Sequence, residues 1–105
     1  MRFVETPIFT EVIGELLSVD EYARLQHNLI LRPDLGVVIP GSRGIRKLRF
    51  GVAGQGKRGG LRVIYFWEQT PEVFFMLYAY RKSQQADLTP AQLRILTRVV
   101  GEELK

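Results

Sequence analysis

Ile45-Arg-Lys-Leu-Arg-Phe50, Leu61-Arg-Val-Ile-Tyr-Phe-Trp67 and Val73-Phe-Phe-Met-Leu-Tyr-Ala-Tyr80 decide the fold. In the first run Arg46, Leu48 and Phe50 face one way and Ile45, Lys47 and Arg49 the other, the period-two signature of a strand. The second is rich in β-branched and aromatic residues. The third is apolar throughout, as expected of a central strand covered on both faces. Gln69-Thr70-Pro71-Glu72 reads as a hairpin turn between the last two. Strands this close in sequence form an antiparallel meander.

Outward from the meander the period changes. Residues 2–5 suit a first strand. Thr6-Pro7 reads as an N-cap with proline in the first helical position, and Phe9, Ile13, Leu16 and Leu17 stripe one helix face. Ser18-Val-Asp-Glu21 is a capping box opening a second helix that Pro33 stops. Its stripe is Tyr22, Leu25 and Leu29, and the two helices should form a hairpin. Val37-Val38-Ile39 runs into a Pro40-Gly41 turn. Thr89-Pro-Ala-Gln92 is a second capping box, followed by a helix striped by Leu93, Leu96, Val100 and Leu104. The predicted order is β-α-α-β-β-β-α. The expected class is α+β: one domain over residues 1–105, an antiparallel sheet core covered by an N-terminal helical hairpin and a C-terminal helix in two layers.

Composition narrows the chemistry. The 105 residues include no cysteine and one histidine, His27. That excludes a disulfide scaffold, a thiolate zinc site, a cysteine nucleophile and any mechanism needing two imidazoles. His27 falls off the apolar stripe of its helix and is assigned no role. With neither a long apolar run nor a secretory leader, a soluble cytoplasmic protein is expected. No paired carboxylates or metal-ligand cluster stand out, so no metal or cofactor is expected.

Charge is the stronger signal. The net charge is +4, and the 33 residues between Asp34 and Glu68 contain no acid. The same window holds Arg43, Arg46, Lys47, Arg49, Lys57, Arg58 and Arg62. A solvated basic face is the plainer reading, but cations without counter-ions mark a surface for a polyanion. Residues 51–60 contain five glycines around Lys57-Arg58. Gly51-x4-Gly56-Lys57 falls short of a nucleotide-cradling loop, because Arg58 stands where Ser or Thr is required and a strand follows instead of a helix. The glycines still allow backbone amides close to a ligand, and the two cations suit phosphate.

Arg62 interrupts an otherwise apolar strand and must find an open sheet face or a partner. With Arg46 on the neighbouring strand it is expected to share one concave surface beneath Lys57 and Arg58, a cleft for a phosphodiester. Plain alternation puts Tyr78 and Tyr80 on one face with Phe74 and Met76. Tyr80, at the strand end beside Arg81 and Lys82, is the better candidate for contact with a base.

Gly44-Ile-Arg-Lys-Leu-Arg-Phe50, the glycine-lysine loop, Gly59-Gly-Leu-Arg-Val-Ile-Tyr65, Tyr80-Arg-Lys82 and Asp87-Leu-Thr89 together resemble the RelE/ParE toxin superfamily, most nearly its HigB-type branch. The resemblance implies a RelE-like fold and a metal-independent, ribosome-dependent endoribonuclease that cuts mRNA in the decoding site, through attack of a ribose 2′-hydroxyl on the adjacent phosphate. It implies Lys57, Arg58 and Arg62 as catalytic cations, with Tyr80 and Lys82 near the family's C-terminal catalytic positions. Where the RelE pattern places a tyrosine a few residues later, this chain has Leu88. Arg43, Arg46, Lys47, Arg49 and Arg81 are the expected RNA contacts. The implied partners are the ribosome with its mRNA and a cognate antitoxin, HigA-like with a helix-turn-helix domain that alone touches operator DNA. Two alternatives stand beside this: a ParE-like toxin acting on DNA gyrase, and a non-catalytic RNA- or ribosome-binding module.

Overall fold

A computed structural model of the chain describes residues 1–51 and 60–103. Strand β1 (Arg2–Glu5) leads into α1 (Pro7–Leu16) and α2 (Val19–Leu31), then β2 (Val37–Val38), β3 (Arg46–Phe50), β4 (Leu61–Glu68), β5 (Val73–Arg81) and α3 (Pro90–Glu103). Local capping chemistry sets the helix starts. The Thr6 hydroxyl accepts from the Phe9 amide, Ser18 and Glu21 cap each other's backbone, and Thr89 and Gln92 exchange two 3.0 Å bonds. These bonds satisfy amides that have no partner within the helix. Among the described residues, no helix is long and apolar enough to cross a membrane.

The sheet order is β1-β5-β4-β3-β2. Strands β3, β4 and β5 form the expected antiparallel meander. Two edges extend it. β1 pairs parallel to β5, and the two-residue β2 pairs antiparallel to β3. The connection from β1 passes through the helical hairpin, so β1 returns to the sheet as an edge strand and not as a hairpin partner.

Helices cover both faces, which corrects the two-layer expectation. Phe9 and Ile13 of the first helix, Leu17 at its C-cap, and Leu25 and Leu29 of the second helix pack on Leu48, Phe50, Leu61, Val63, Tyr65, Phe74 and Met76. Leu96 and Val100 of α3 pack on the other face, against Ile45, Ile64, Leu77 and Tyr80. A sheet whose central strands are apolar on both sides must be covered twice.

A bulge in β5 decides which residues meet α3. Ile64 pairs with Tyr78 but Tyr65 with Met76, so Leu77 is the extra residue. The carbonyl of Leu77 accepts a 2.8 Å bond from the Thr6 hydroxyl. One inserted residue reverses the phase of everything after it. Phe74 and Met76 therefore face the helical hairpin, while Tyr78 and Tyr80 face α3, correcting the shared face expected from plain alternation.

A candidate active site at one end of the sheet

Across β3, β4 and β5 the registered row Arg49–Arg62–Tyr80 lies where β3 ends, β4 begins and β5 ends. Registered partners project to one face, here the α3 side. Arg62 is 5% exposed. Its one side-chain hydrogen bond among the described residues is from Nη1 to the carbonyl of its neighbour Leu61, at 3.3 Å. The one ion pair among the described residues lies elsewhere, between Lys47 and Asp87 at 3.1 Å. A guanidinium withdrawn from water without a carboxylate is costly, and the remaining donors of this one have no acceptor among the described residues. Arg49 is exposed opposite it.

Tyr80 is equally buried, its ring within the α3-side core. It presents its hydroxyl and not a stacking face, contrary to the expected base contact. That hydroxyl donates to Asp87 Oδ1 at 3.4 Å. The same oxygen accepts from Lys47 Nζ at 3.1 Å and from the Leu88 amide at 2.8 Å. Burial, then the Asp87 charge and hydrogen bond, push the Tyr80 phenol up to about 12, against an opposing pull from Arg62. The hydrogen bond from Lys47 leads the causes that hold the Asp87 carboxyl below its ordinary range. At neutral pH Tyr80 is therefore a donor and Asp87 an anion that orients it.

Asp87 was missed as a site residue. Its signal was present: the single acid in residues 81–89, a loop that joins the Tyr80 strand to the last capping box. Lys82 is exposed just beyond β5, its amide bonded to the Gly60 carbonyl at 3.2 Å and its Nζ to Ala86 O at 3.3 Å. Lys57 and Arg58 lie outside the described residues. Gly51 and Gly60, which flank that stretch, sit at this same end of the sheet. Arg24 of α2 stacks on Phe50 at 4.4 Å and donates to the Gly51 carbonyl at 2.9 Å.

Other expected cations do not converge here. Arg46 opposes Tyr65 on the helical-hairpin face, and its Nη1 donates to the Gly36 carbonyl at 2.8 Å. It clamps the loop before β2 and shares no surface with Arg62, because the residue registered with Arg62 is Arg49 and not Arg46. Arg43 precedes β3 and lies at its opposite end, against α3. Arg81 follows Tyr80 on β5 and so points to the other face. His27 is exposed on α2.

Residues 35–104 match the family described as the RelE toxin of the RelE / RelB toxin-antitoxin system. The chain belongs to the RelE toxin family. It is thus a toxin of a toxin–antitoxin system and has an antitoxin as its partner. Every residue of the Arg49–Arg62–Tyr80 row, with Lys47, Asp87 and Lys82, falls inside the matched stretch of the toxin.

Proposed function

We propose that this toxin is a ribosome-dependent endoribonuclease of the HigB-type branch, acting on mRNA in the cytoplasm and held in check by a HigA-like, helix-turn-helix antitoxin. The observation that carries the reading is Arg62: a buried guanidinium beside an exposed Arg49 and a protonated Tyr80, with no acid paired to it among the described residues. A phosphodiester supplies the missing charge, and arginine's forked donors suit its oxygens.

In the proposed step the ribose 2′-oxygen forms a bond to phosphorus while the bond to the 5′-oxygen breaks. The 2′-hydroxyl proton passes to a base, for which Lys57 is the candidate. The departing 5′-oxygen takes a proton from solvent, leaving a 2′,3′-cyclic phosphate and a 5′-hydroxyl. Arg62, with Arg58 and Arg49, stabilises charge gathering on the phosphate oxygens. On binding, Tyr80 would exchange its hydrogen bond to Asp87 for one to the same phosphate, and Lys82 flanks it. The ribosome holds the mRNA in line for attack.

The test is induction of the toxin without its antitoxin, followed by primer extension on cellular mRNA. Codon-phased cleavage that disappears with Arg62→Ala is the expected result. Growth arrest with intact mRNA and relaxed plasmid DNA would indicate gyrase as the target. Arrest with intact mRNA and normal supercoiling would indicate binding without cutting.

A further inference from the structure

Away from the Arg62 centre, Arg43, Arg94 and Arg98 line an open cavity of about 390 Å³ with Thr97, Gly101 and Glu102. Arg43 reaches it from the turn before β3, in the left-handed conformation at φ 64° that few non-glycine residues adopt. Its Nη1 lies 3.4 Å from where a side chain on Gly101 would begin. Arg94 and Arg98 are one helical turn apart on α3, their Cβ atoms about 5–6 Å from each other. All three arginines are exposed, and none takes part in the one ion pair among the described residues. Glu102 lines the cavity without pairing with them.

Among the described residues the lining contains no apolar side chain. A protein partner is normally anchored by buried aromatic or aliphatic groups, which this groove offers no place to pack. A nucleic-acid backbone needs only charge and donors, and successive phosphates recur at a spacing close to that of Arg94 and Arg98. We propose that this groove is a second RNA-backbone site, one that holds phosphates and performs no chemistry. It lies on the α3 side of the sheet, as Arg62 does, but at the opposite end of β3. One RNA can therefore engage both. The inference rests on the reading of the toxin as one that acts on RNA, and deepens it.

The test uses the full chain carrying Arg62→Ala, so that RNA stays intact. It is compared with the same chain bearing Arg43→Gly, Arg94→Gln and Arg98→Gln. The probes are a labelled double-stranded RNA hairpin and labelled polyglutamate, read by fluorescence anisotropy across a salt series. RNA affinity should fall at least tenfold near about 0.1 M salt, and log K against log salt should become shallower by roughly 2.7 for three lost phosphate contacts. An unchanged RNA affinity and slope overturns the proposal. So does a loss confined to polyglutamate, which would mark an acidic protein surface as the occupant. If Arg43→Gly disturbs its turn, the exposed pair Arg94→Gln and Arg98→Gln carries the test with a slope change of about 1.8. A toxin that leaves mRNA uncut, yet loses RNA binding with these substitutions, removes the nuclease reading and upholds this one.

Discussion

In the proposed reaction Arg62 sets function against stability. Its guanidinium is 5% exposed and bonded, among the described residues, to a single backbone carbonyl, so the folded chain bears a desolvation cost that a bound anion would relieve. Arg62→Met keeps the length of the side chain and removes the charge. It should stabilise the free toxin by roughly 1 kcal/mol or more in urea unfolding, as happens when buried charge is exchanged for apolar volume. The same change should lower mRNA cleavage by at least about 100-fold, the usual scale for losing one oxyanion donor. A destabilised Met variant would show that Arg62 is satisfied by a partner and serves the fold. Tyr80 yields a prediction with a definite sign. An unfolded tyrosine ionises near its ordinary value of 10.0, whereas folded Tyr80 holds its proton to about 12. Between those values the unfolded chain has lost a proton that the folded chain keeps, so stability present in full below pH 10 is lost as pH rises through that window. Tyr65 shifts in the same direction through burial, as does Tyr22 through burial and its bond to Glu5. Tyr80→Phe should therefore flatten, and not abolish, the alkaline fall of stability, by one proton's worth in a pH series of unfolding midpoints.

The elements divide by how local their causes are. Thr6-Pro7, Ser18–Glu21 and Thr89–Gln92 were legible because a cap is decided within four residues. The meander was legible for a similar reason, since short connections leave few topologies. The Leu77 bulge was not. Nothing in Val73–Arg81 announces it, because the carbonyl of the extra residue is satisfied by Thr6, 71 residues away. That one insertion turned Tyr80 toward Asp87 and α3, and no alternation rule applied to β5 alone could place it. Arg62 was legible as a charge in an apolar strand, but its partner was misassigned. Choosing Arg49 over Arg46 takes a shift of register that reverses sides, and both residues are arginine. The hinge of this arrangement is Gly60. A Cβ there would meet the Phe50 carbonyl oxygen at 2.8 Å, against backbone that cannot step aside as a flexible side chain would. Gly60→Ala should cost about 1–3 kcal/mol, as overpacking does. It should also depress cleavage by more than that loss of folded protein explains, because Arg62 lies two residues beyond. Full activity at unchanged stability would show that the strand ends adjust freely.

At the scale of the molecule, chemistry and cohesion come from different stretches of chain. The family match covers residues 35–104, and the whole Arg62 centre lies inside it. The first 34 residues supply one entire cover of the sheet. Phe9, Ile13, Leu17, Leu25 and Leu29 are all buried on Leu48, Phe50, Leu61, Val63, Tyr65, Phe74 and Met76. At roughly 1.5–3 kcal/mol for each large apolar side chain buried, that face contributes on the order of 10 kcal/mol. A domain of this size has only about 5–15 kcal/mol of net stability in total. The β1 strand adds its parallel pairing to β5, and Thr6 adds the bond that settles the bulge. A fragment of residues 35–105 should therefore retain every proposed catalytic group and still fail to fold. It should bind a hydrophobic dye, show no cooperative thermal transition and cleave nothing. Adding residues 1–34 as a separate peptide should restore part of the transition, because the lost contacts are apolar and need no covalent link. A fragment that melted cooperatively by itself would place the stability of this toxin in its sheet and α3, and would make the helical hairpin an accessory layer.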